Sequence, residues 1–131
     1  MTVAFPPFLR NAIALDAVVT GAAALLMMGG ASVLSPWLGL PANLLFWSGA
    51  ALVPFVGLLA WIVRRGSASR LVLIDVVAIN ALWVAGSVLL LVGGFVEPTV
   101  LGYAFVLAQA LAVAFFAELQ FVGLRRSASA A

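Results

Sequence analysis

The sequence predicts an all-α integral membrane four-helix bundle, and three observations carry that prediction. Of 131 residues, 66% are hydrophobic and 8% charged, and the mean hydropathy is +1.30, more apolar surface than a water-soluble fold covers. Uncharged runs separate Asp16 from Arg64, Asp75 from Glu97 and Glu97 from Glu118, each reaching the ~20 residues that cross a hydrocarbon core. The six basic residues are all arginines and all lie at the ends of apolar stretches.

Taken in order, the first span covers residues 8–29, after a short lead through Pro7 and with Arg10 at its start. Asp16 lies inside its apolar stretch, which argues for a retained span rather than a cleaved leader. The run from Asp16 to Arg64 is roughly twice a span and is broken by Pro36 and Pro41, which implies a hairpin. Its uncharged connection, Ser35 to Pro41, is expected to place Ser35 as a cap and Pro36 at the start of a short helical turn. The second span covers residues 42–63, with Phe46 and Trp47 near one end and Trp61 near the other, as membrane interfaces favour. The loop from Arg64 to Arg70 follows. The third span covers 71–94, and the fourth covers 99–124 before Arg125 and Arg126.

The arginines set the orientation. Arg10, Arg64, Arg65, Arg70, Arg125 and Arg126 fall on one side, and the opposite connections carry only Glu97. Cytoplasmic flanks carry the Lys/Arg excess, so both termini are expected in the cytoplasm, in a bacterial inner membrane. Each half also opens with an arginine, meets an aspartate (Asp16, Asp75), reaches a Gly-Gly pair and closes on Arg-Arg. That pattern reads as two duplicated parallel hairpins, residues 8–65 and 70–126, within a single membrane domain spanning 1–131.

The stretch Gly30-Ala31-Ser32-Val33-Leu34-Ser35-Pro36-Trp37-Leu38-Gly39-Leu40, set between two apolar helices, resembles the two-helix SPW repeat of small bacterial integral membrane proteins. The resemblance covers the first half and implies architecture alone. At the corresponding point the second half has Glu97-Pro98-Thr99.

The chain has no cysteine, histidine or lysine. That removes thiolate, imidazole and Schiff-base chemistry and the usual metal ligands, so the expectation is a non-enzymatic protein with no catalytic residue, no metal and no cofactor beyond a lipid or lipophilic ligand. The arginines form no single basic face, so the expected contacts are membrane lipid and protein rather than nucleic acid.

Ionisable groups inside spans are costly and are candidates for function. At 1.5 Å per residue, Asp16, Asp75 and Glu118 each lie roughly 8–10 Å inside the nearest arginine, which groups them as one layer. Two readings stand: a proton or ion site, or carboxylates paired with flanking arginines that snorkel to them. Helical periodicity adds that Ala12, Asp16, Thr20, Ala23 and Met27 share a face of the first span. On the third, Asn80 lies about 140° from Asp75, and Trp83 and Ser87 share its face. On the fourth, Gln109 and Gln120 lie opposite Glu118. Taking the carboxylate faces as the bundle interior leaves Asn80, Trp83, Ser87, Gln109 and Gln120 for a second buried surface, against a subunit or a ligand. The functional expectations are an oligomerising or accessory subunit, a small ion- or proton-coupled transporter, or a binder of a lipophilic molecule such as a quinone or pigment.

Overall fold

The computed structural model describes residues 2–130. A short strand β1 (Thr2–Ala4) precedes helix α1 (Pro7–Gly29); α2 (Ala31–Leu38), α3 (Ala42–Arg65), strand β2 (Ser67–Ser69), α4 (Arg70–Val92) and α5 (Val100–Ala130) follow. Four helices are long and apolar enough to cross a membrane: α1, α3, α4 and residues Val100–Arg126 of α5. The expected all-α four-helix bundle is therefore observed, with helix limits within a few residues of those read from the sequence.

Each terminus has a local cause. Pro7 starts α1, where a missing N–H costs nothing. Gly66 ends α3 at φ 72°, a left-handed conformation that favours glycine, and its N–H reaches the carbonyls of Ile62 and Val63. Ser69 caps α4 by accepting from the Val72 N–H at 3.2 Å. Thr99 does the same for α5, accepting from the Gly102 N–H at 3.1 Å.

Two connections differ from the sequence expectation. The lead and the arginine loop, read as irregular, pair as a two-stranded antiparallel ribbon, with Thr2 opposite Ser69 and Ala4 opposite Ser67. Val3, Phe5 and Ala68 bury on the core beneath it, which favours extended pairing over free loop. In the first connection α2 begins at Ala31, so Ser35 and Pro36 lie inside a helix rather than at its start. The Ser35 hydroxyl donates forward to the Leu40 carbonyl at 2.6 Å and closes the turn.

Around the bundle α1 packs on α3 and on α5, and α5 packs on α4, while the backbones of α3 and α4 stay apart. Close approach depends on glycine at two positions. A Cβ on Gly49 of α3 would stand 2.9 Å from the Ala24 carbonyl of α1, and one on Gly102 of α5 would collide with the Leu38 carbonyl at the end of α2. Thr99 reinforces the second contact, its hydroxyl donating to the Trp37 carbonyl at 2.6 Å. At the arginine end, Leu9, Ile13, Phe55, Leu59, Ile62, Leu73, Val76 and Leu124 form a closed core from all four spans.

Candidate functional site

The polar side chains of the spans collect in two networks on the facing sides of α4 and α5. Asn80, Trp83 and Ser87 fall on one face of α4 at helical spacing. Gln109 and Gln120 are 11 residues apart on α5, about three turns, and so share a face too.

The first network is closed. Asp16, on α1, is fully buried and accepts from the Thr20 hydroxyl at 2.7 Å, the Gln120 amide at 2.7 Å and the Asn80 amide at 3.0 Å. Asn80 also donates to the Gln120 carbonyl oxygen at 2.9 Å. Every contact on the carboxylate comes from a neutral donor, and Asp16, Asp75 and Glu118 form no ion pair among the described residues. The arginines go elsewhere: Arg65 lies over the Trp61 ring at 4.8 Å, Arg126 over Phe8 at 5.1 Å and Arg125 over Phe121 at 5.7 Å.

The second network borders open space. The Trp83 indole N–H donates to the Gln109 oxygen at 2.5 Å, the Gln109 amide donates to the Ser87 hydroxyl at 2.8 Å and the Val106 carbonyl at 3.1 Å, and Ser87 donates to the Trp83 carbonyl at 2.8 Å. These groups stand in the wall of a cavity of about 470 Å³ between α3 and α4. Its remaining walls are apolar, Leu44, Leu52 and Phe55 on α3 and Phe105 on α5 among them. Ser48 also lines it and makes no hydrogen bond among the described residues. The cavity lies in the half of the bundle away from the arginines.

The structure thus redistributes the sequence candidates. The layer of three carboxylates does not form: Asp16 is interior, whereas Asp75 and Glu118 are exposed on the outer faces of α4 and α5. Nor does the salt-bridged alternative, since no arginine reaches Asp16. Asn80 and Gln120 join the interior network around Asp16, and Trp83, Ser87 and Gln109 line the cavity beside α3 rather than an outer face. Periodicity separated the two faces of each helix correctly, but the charge on Asp75 and Glu118 pointed to the wrong one as interior. An amide whose partners lie on other helices buries at little cost, and the partners are invisible along one strand of sequence. Thr20 completes the Asp16 site, and its i+4 spacing was the available signal. The apolar cavity wall had none, because Leu44, Leu52 and Phe105 read like any residue of a span.

Compared with family models, curated proteins and solved structures, the chain matches none. What the fold defines is an integral membrane protein of four spans.

Proposed function

We propose that this is a non-enzymatic membrane protein, of a bacterial inner membrane with the arginine end cytoplasmic, that binds a lipophilic molecule between α3 and α4. One observation carries the reading: a cavity of about 470 Å³, within the ~300–1,000 Å³ of small-molecule sites, in a bundle whose α3 and α4 backbones stand apart. The amide and indole groups of Trp83 and Gln109 already bond one another, so they add polarizable surface rather than free donors. The matching occupant is a chain or ring system that is mostly hydrocarbon, with at most one polar group, which Ser48 can meet.

The test is native mass spectrometry of the chain released from membranes, beside a Gly86→Leu variant. Gly86 lines the cavity and a Cβ there meets nothing within 4 Å, so a larger side chain can start from this position and extend into the space. A retained lipophilic adduct that the variant loses is the expected result. Equal adducts on both proteins, or none on either, overturn the reading.

A second reading, association with another membrane subunit, draws on Asp75 and Glu118. Each is exposed within a membrane span, where lipid is a costly neighbour for a carboxylate. A chain that stays strictly monomeric in lipid nanodiscs would rule it out.

A further inference from the structure

From the closed network, and independently of any cavity ligand, we infer that Asp16, Thr20, Asn80 and Gln120 form a site for one small monovalent cation, sodium in the first instance. Asp16 is fully buried, and Gln120, Asn80 and Thr20 are 2%, 3% and 6% exposed. Four oxygen-bearing side chains from α1, α4 and α5 therefore converge at a point sealed from lipid and water. Hard cations take such carboxylate, carbonyl and hydroxyl oxygens as ligands. The set has one formal charge, so a monovalent ion leaves it neutral, the condition that a low-dielectric interior favours.

The two amides give the site a second arrangement. In the structure Gln120 and Asn80 turn their N–H groups to Asp16, and Asn80 donates to Gln120. Asn and Gln amides present oxygen and nitrogen at nearly equivalent positions. Rotating both by half a turn keeps their mutual hydrogen bond, now donated by Gln120 to Asn80. It also places two carbonyl oxygens where the donors stood, 2.7 and 3.0 Å from one Asp16 oxygen. Three oxygens so close repel unless a cation lies among them. The donor-facing arrangement is thus self-satisfied, and the acceptor-facing one is a ready coordination shell. Thr20 donates to the other carboxylate oxygen at 2.7 Å, which leaves the lone pairs of its own hydroxyl oxygen for an ion.

Full-length protein in detergent is unfolded thermally, followed by tryptophan fluorescence, in sodium, potassium and choline chloride at equal ionic strength. Sodium is expected to raise the midpoint by about 3–8 °C near saturation, with choline without effect. Asp16→Asn should lose the rise, whereas Glu118→Gln, on the outer face, should keep it. Radioactive-sodium binding to the unmodified protein, competed by lithium, supplies a readout that needs no variant to fold. Equal midpoints in sodium and choline, a rise retained by Asp16→Asn, a response to pH with none to sodium, or no saturable sodium binding would each overturn the site.

Discussion

At the arginine end, Asn80 of α4 and Gln120 of α5 meet a third polar side chain, Asp16 of α1, and apolar side chains of all four spans close around them. One to two turns further along α4, Trp83 and Ser87 meet Gln109 of α5, no polar group of α1 or α3 joins them, and a cavity opens beside the apolar core of that half. The same helix pair therefore builds a sealed polar knot in one half and a polar-backed pocket in the other. What differs is the third helix: α1 delivers a carboxylate to the first, while α3 holds back from the second. In a membrane, where apolar burial gives little drive to helix association, hydrogen bonds and close packing decide which half is rigid and which is left open.

The sharpest way to break this contrast is to remove the knot's centre. Asp16→Ala deprives Thr20, Asn80 and Gln120 of their shared acceptor and leaves a void, for an expected loss of about 3 kcal/mol. Asp16→Asn keeps one oxygen for the two amides and offers an N–H to the Thr20 hydroxyl, so in sodium-free buffer it should cost under ~1 kcal/mol. Chemical denaturation in mixed micelles measures both. Similar losses from the two variants would mean that charge, and not acceptor geometry, holds the knot together.

Packing gives the next largest difference. Leu59 is fully buried in the closed core, and Leu59→Ala should cost about 2 kcal/mol, chiefly through the cavity it opens. Leu44 lines a space that already exists, so Leu44→Ala should cost under ~0.5 kcal/mol. Equal costs would show that the pocket is filled by its own walls in the membrane.

Much of this architecture is legible in the sequence. Four spans, their limits and the grouping of all arginines at one end followed from hydropathy and charge, because lipid imposes one length and forbids unpaired backbone. The two-faced character of α4 and α5 was legible as well, from Asn80 against Asp75 and Gln120 against Glu118. Which face turns inward was not, since it depends on partners from other helices. The β1–β2 ribbon escaped for a related reason: three-residue strands have no usable periodicity, and Thr2 pairs with Ser69 across a whole hairpin. The pocket escaped because the wider spacing of the α3 and α4 backbones leaves no mark on either sequence.

Within the pocket half, Gln109 is the polar link. Gln109→Leu removes the acceptor from the Trp83 indole N–H and the donor to Ser87. Hydrogen bonds in membrane interiors are modest, so the expected loss is about 1 kcal/mol. The indole, released from its partner, should also change its fluorescence, against a background of three other tryptophans that keep theirs. A loss as large as that of Asp16→Ala would put the two networks on an equal footing and remove the distinction between knot and pocket.

A further small effect has the opposite sign. Gly86 sits in the interior of α4, has ordinary helical φ and borders the pocket, where a Cβ meets nothing within 4 Å. Nothing in the fold requires glycine there, and replacing an unconstrained helical glycine by alanine stabilises by about 0.5–1 kcal/mol. A residue that costs the empty bundle stability while keeping its pocket wide has its natural explanation in an occupant. Gly86→Ala is therefore expected to raise the unfolding midpoint of the delipidated protein and to narrow or abolish the stabilisation gained on adding back membrane lipid extract. If the variant instead lowers stability in both states, α4 is held closer to α3 in the membrane than the open pocket implies, and the contrast between the two halves closes from that side.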